Sequence, residues 1–130
     1  MTPVLVVDAV APCLAFWVDR FGFTLGHQVP GDDGQLVFGS VNGDGIELMY
    51  QTRASVIAED DGRSVEERTR DVAGHSIVLF FEVEDFAAVE RAVAGALVVK
   101  PRHQTFYGTV EIYIREAGGH VVGFSAPAPS

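Results

Sequence analysis

The sequence predicts an α+β fold built from two tandem βαβββ modules, and three observations carry that prediction. Short β-branched runs at 3–7 and 76–83 are each followed by a helical apolar stripe and then by three further strand-like runs. A polar, charged stretch at about 53–74 separates the two series. The spacings also match: Ala9 to Gly43 and Asp85 to Gly119 both span 34 positions, and Glu47 and Gly123 each follow those glycines by four. Module one is therefore expected at about 1–52, a connector at about 53–74 and module two at about 75–126, in a single domain covering 1–130.

PVLVV reads as a buried strand, and the stretch from Ala9 to Phe21 places Val10, Leu14, Trp17, Val18 and Phe21 at helical spacing. Pro12 suits the first turn of that helix, where its missing N–H is not needed, and Gly22 stops it. TLGHQV, QLVFGSV and IELMYQ, punctuated by PGDDG and NGDG, read as a three-stranded meander, with His27 at a strand end. The connector is read as exposed, with a helical patch at Val65 to Val72. SIVLFFEV is again a strand, and Asp85 caps a helix whose stripe is Phe86, Val89 and Val93 and whose end is Gly95. ALVVK, TFYGTVEIYIRE and HVVGFS supply three more strands, KPRHQ is a polar loop, and APAPS is a frayed tail.

Composition narrows the function classes. At 130 residues and 48% hydrophobic content the chain can bury a sizeable core without disulfides or structural metal. Eighteen acidic residues against nine Lys plus Arg give a formal charge of −9, which repels phosphate backbones and anionic headgroups, so no nucleic acid and no membrane partner is expected, while a cationic ligand is compatible. MTPVLVVD lacks the features of a signal peptide, and a cytoplasmic location is expected. Cys13, the single cysteine, is read as a small core residue. No GxSxG, Walker loop, HExxH or CxxC is present.

CLAFWVDRFGF in the first helix, the GIELMY strand, the YGTVE segment and the GGH turn at 118–120 together resemble the vicinal oxygen chelate superfamily over nearly the whole chain. That superfamily includes glyoxalase I, extradiol dioxygenases, and the fosfomycin and bleomycin resistance proteins. The resemblance implies two modules curling into a cup-shaped mixed sheet with helices outside and function on the concave face. It also implies a homodimer. Metal-dependent members carry His or Gln on the first strand of each half and Glu on the last. Here Glu47 matches, Gly123 does not, and the first-strand positions near Thr2 or Val4 and near Val78 offer no imidazole or amide. One donor of four is too few to hold a divalent cation against water, so no metal and no cofactor is expected.

The resemblance is nearest the metal-free bleomycin resistance branch. It implies a small-molecule-binding protein, without catalytic residues, that sequesters an apolar or cationic ligand; the alternative is a metal-dependent lyase or dioxygenase with a rearranged site. Alternation puts Glu47, Met49 and Gln51 on one strand face and Ile46, Leu48 and Tyr50 on the other. Glu47 faces ligand, is protonated, or pairs with Arg102, Arg115 or another cation of the protein. Phe38, Met49, Phe80 and Tyr107 are expected to supply apolar contact, Glu47 or Glu111 charge selection, and His103, Tyr107 and Glu111 a polar rim, with Gln51 completing the lining. His75 is read as a residue at the start of its strand that faces away from the ligand, and His120 as capping a turn, on the face opposite Gly123. Gly123 itself marks a close approach to the backbone, by a ligand or by a neighbouring strand.

Overall fold

The computed structural model describes residues 1–129 and divides into two compact units, one of residues 1–74 and one from His75 onward. The first contains β1 (Val4–Val7), α1 (Ala11–Phe21), β2 (Thr24–Pro30), β3 (Leu36–Gly43), β4 (Ile46–Thr52), α2 (Arg53–Ala58) and α3 (Val65–Asp71). The second contains β5 (Val78–Glu82), α4 (Phe86–Ala92), β6 (Leu97–Gln104), β7 (Thr109–Arg115) and β8 (Val121–Pro127). The sheet orders are β1-β4-β3-β2 and β5-β8-β7-β6, so the duplicated βαβββ topology read from the sequence is present in each unit. In both, the first strand runs parallel to the last and the others pair antiparallel.

In the first unit, α1 begins with Pro12 in its first turn and ends at Gly22, whose φ of 69° lets its own N–H reach the Val18 carbonyl and the Phe23 N–H reach that of Trp17. Its inner face buries Cys13, Leu14, Phe16 and Trp17 against Leu48 and Tyr50 of β4 and Val41 of β3. The Trp17 indole donates to the Tyr50 hydroxyl at 2.8 Å, with neither side chain exposed. Phe16, Phe21 and Phe23 surround the indole at centroid distances of 5.2–5.3 Å. The β3–β4 hairpin turns through Asp44 and Gly45, both at positive φ, as a two-residue turn that matches strand twist requires.

In the second unit, Asp85 caps α4 by accepting from the Ala88 N–H at 3.0 Å, and Phe86, Val89 and Val93 are buried. They pack with Val110, Ile112 and Ile114 of β7 and Val122, Phe124 and Ala126 of β8 as the buried face of the sheet. Phe81 of β5 stacks on Phe124 at 5.4 Å.

Four expectations need correction. The connector carries a second helix, α2, which Thr52 caps by accepting from the Ser55 N–H; tertiary contacts hold the segment, since Arg53 bonds Asp8 at 2.5 Å and the Val72 carbonyl at 2.7 Å. Strand β6 runs on through the presumed loop to Gln104, because an edge strand tolerates Pro101, whose missing N–H would face outward. Strand β8 takes in the first two residues of the presumed tail, Ala126 and Pro127, with Pro127 pairing opposite Thr109. His27 lies within β2 rather than at its end, and its N–H donates to the Ser40 hydroxyl.

Candidate functional site

On the second sheet, the face turned away from α4 is organised by Glu111. Alternation along β7 puts Thr109, Glu111 and Tyr113 on this side, opposite the buried Val110, Ile112 and Ile114. Ser125 joins them as the β8 register partner of Glu111. The Glu111 side chain is 2% exposed, yet the cations nearest in sequence are engaged elsewhere, Arg102 with Glu90 and Arg115 with the Gly119 carbonyl. Hydroxyls take their place. Ser125 donates at 2.8 Å, Thr109 at 3.0 Å, Tyr113 at 3.1 Å and Tyr107 at 3.2 Å. Burial pushes the Glu111 carboxyl up, but these four donors outweigh it and leave it below its ordinary 4.5. Burial, reinforced by the adjacent Glu111 charge, pushes the Tyr113 phenol above its ordinary 10.0.

Around this hub runs an aromatic row. The Tyr113 ring lies between Phe80 of β5, at 6.5 Å, and His103 of β6, at 6.4 Å and nearly parallel to it. Lys100 places its ammonium 5.4 Å from the centroid of the same ring. A recess of about 470 Å³ beside the hub is bordered by Thr109, Ser125 and two further carboxylates, Glu82 and Glu84.

Of the residues singled out in the sequence, Phe80, His103, Tyr107 and Glu111 are thus brought together on one sheet. His103 is the register partner of Glu111 and belongs to a strand, not a loop. Phe38, Glu47, Met49 and Gln51 share one face of the first sheet, the side opposite Leu48 and Tyr50. Gln51 there donates to Ser55 of α2. Tyr113, Thr109, Ser125 and Lys100 were not singled out; the first two carry a signal in the alternation of TVEIY, which puts every second residue beside Glu111.

His120 lies in the β7–β8 turn. It is 4% exposed, and the buried Glu116 carboxylate accepts from its backbone N–H at 2.6 Å and lies 3.2 Å from its Nδ1. His75 packs edge-on against its ring at 4.5 Å. This cluster pins the β7–β8 turn, and among the described residues no three His, Cys, Asp or Glu side chains gather at metal-binding spacing.

Residues 2–124 match the family model described as the Glyoxalase/Bleomycin resistance protein/Dioxygenase superfamily. The chain belongs to this superfamily. Solved structures agree on the fold. TioX from Micromonospora sp. ML1 superposes with a TM-score of 0.72 at 22% identity, covering 98% of this chain and 97% of that one. A lactoylglutathione lyase from Agrobacterium tumefaciens gives 0.71 at 19% identity, covering 97% and 91%. A glyoxalase/bleomycin resistance protein/dioxygenase from Nocardioides gives 0.72 at 20%, covering 100% and 83%. No curated protein matches the chain.

Several superfamily members use a divalent metal, and the donor set here does not fit one. The relevant faces of the first and last strands present Val4, Val6, Glu47, Met49 and Gln51 in the first unit. In the second they present Val78, Phe80, Glu82, Gly123 and Ser125. No imidazole lies among them, and the lone pairs of Glu111 are already taken by hydroxyls. Among the described residues no helix is long and apolar enough to cross a membrane.

Proposed function

We propose that this superfamily member is a small-molecule-binding protein that works without a metal and sequesters an aromatic, apolar or cationic ligand on the Glu111 face of the second sheet. The observation that carries the reading is the row Phe80, Tyr113 and His103 beside a buried, ionised carboxylate. Apolar surface gives such a face affinity at about 25 cal/mol per Å² before ordering costs. The carboxylates Glu111, Glu82 and Glu84 bias it toward positive charge. On the first sheet, Phe38, Glu47, Met49 and Gln51 combine apolar and acidic groups in the same way and support ligand contact there.

A second copy of the chain is the proposed partner. Val78 and Phe80 on one edge strand, Ile77 just before it, and Leu97, Val98 and Val99 on the other edge strand are each about half exposed or more, an apolar content that edges facing water seldom keep.

Titrating freshly purified protein with aromatic cations, before and after chelator treatment, tests the binding reading. The melting midpoint is expected to rise with ligand and to be indifferent to the chelator. About one tightly held transition metal per chain, with ligand response lost on chelation, would instead establish a metal-dependent lyase or dioxygenase.

A further inference from the structure

We infer that the Glu111 face selects ligands that donate hydrogen bonds, aromatic ammonium compounds above all, and that Glu111 sets this preference as a positioning residue that the ligand never touches. The inference rests on the binding role proposed above and follows from counting hydrogens.

A hydroxyl has one hydrogen to give and lone pairs to accept with. The hydroxyls of Tyr107, Tyr113, Thr109 and Ser125 all spend theirs on Glu111, whose ionised carboxylate can only accept. Thr105 extends the same polarity: because Thr109 donates to Glu111, Thr105 is the donor in the 2.8 Å bond between the two threonines. His103 places Nδ1 2.8 Å from the Pro101 carbonyl, which accepts only, so the hydrogen of the neutral ring sits on Nδ1 and Nε2 keeps its lone pair. Tyr107 is 59% exposed, and Tyr113 and His103 are half-buried, so their free lone pairs are within reach of a ligand. Glu82 and Glu84 add carboxylates that accept only. The one ammonium on the aromatic row, that of Lys100, stands over the Tyr113 ring and marks where a positive charge is held; a ligand ammonium takes that position as the lysine swings aside on its flexible stem.

Four naphthalene probes, titrated calorimetrically near neutral pH, test this: naphthylmethylammonium, naphthol, methoxynaphthalene and naphthoate. The expected order places the ammonium first and naphthoate last, with naphthol about tenfold tighter than methoxynaphthalene because only naphthol can donate. Tyr113→Phe keeps the ring and is expected to erase much of the naphthol advantage while leaving methoxynaphthalene within about twofold. Glu111→Gln supplies an amide donor and turns at least one hydroxyl outward, so the gap between ammonium and naphthoate is expected to close by about tenfold or more. Equal weakening of all four probes by Glu111→Gln would reduce Glu111 to a structural group and overturn the inference. Wild-type protein that takes naphthoate as tightly as the ammonium would overturn it while leaving the binding role standing. Failure of every probe to bind the wild type would overturn the binding role and the inference together.

Discussion

The ring of Tyr113 lies across Gly123 of the neighbouring strand, so close that a Cβ built at 123 would stand 2.4 Å from the ring carbon Cε1. Glycine is therefore required at 123 by a protein side chain, and the ring it admits is the one that carries a hydroxyl to Glu111. Gly123→Ala is expected to cost about 2 kcal/mol by forcing that ring off its seat. The same change made in a Tyr113→Ala background should become neutral or stabilising by about 0.5 kcal/mol, since a strand alanine loses less backbone entropy than glycine. Denaturant unfolding of the four proteins in this cycle checks it; equal costs in both backgrounds would mean that the ring does not dictate the glycine.

Removing the carboxylate should be costly because its donors are left behind. Glu111→Leu is expected to destabilise by about 3 kcal/mol, as buried Ser125 and its neighbours lose their acceptor.

The acid limb of stability should carry the signature of the same group. The folded pKa of Glu111 lies below its ordinary 4.5, so its contribution is fully present above the ordinary value and is lost as pH falls through the lower folded one. Asp61, held at about 2 by hydrogen bonds from Arg63, shifts in the same direction, so only a comparison isolates Glu111. The stability gap between wild type and Glu111→Gln should be constant near neutrality and narrow as pH drops below the ordinary carboxylate value. Tyr113 behaves in the opposite sense. Its raised pKa keeps its contribution intact below 10.0 and forfeits it as pH climbs through the folded value. In an ultraviolet titration of the three tyrosines, Tyr113→Phe should remove a late-titrating one.

Much of the fold was legible because period and punctuation agreed. Pro12 and Gly22 bracket α1, Asp85 caps α4, and alternation sorts Leu48 and Tyr50 from Met49 and Gln51. What was not legible depends on neighbours distant in sequence. Six residues of α2 carry no periodic signal, and it takes Arg53 reaching Asp8, 45 positions away, to tie its start to the unit. His120 precedes β8 and belongs to a turn, so its packing on Glu116 and His75 follows from side chains that strand alternation does not encode. Glu111 was visible as a candidate, but its significance lies in hydroxyls drawn from a turn and two strands, which meet only once β7 and β8 pair.

Arg68 should be the residue that keeps the connector folded. Its guanidinium is buried, donating from Nε to the Ile57 carbonyl at 2.7 Å and from a terminal nitrogen to the Arg63 carbonyl, so one side chain closes the ends of α2 and α3 onto each other. The capping box between Ser64 and Glu67 holds α3 itself. Arg68→Met fills similar space without donors and is expected to cost about 2 kcal/mol locally. Limited proteolysis should then cut within 53–74 much faster, with the sheets protected as before. Unchanged cleavage would assign the connector's order to its caps alone.

The Trp17–Tyr50 bond offers a test of the first unit independent of any ligand. Both groups are fully buried and Tyr50 accepts from the indole N–H, a bond that an apolar residue of the same shape would remove. Tyr50→Phe is expected to cost about 1–2 kcal/mol, although it removes a single oxygen and adds no void of consequence. Trp17→Phe alone loses a larger ring and should cost about 3 kcal/mol. Either single substitution already removes the bond between the two side chains, so the double substitution should cost less than the sum by about 1 kcal/mol. Calorimetric melting serves all four proteins, because the chain has a single tryptophan and fluorescence would be lost with it. Strict additivity would show that the two residues pack independently and that the hydrogen bond contributes nothing net.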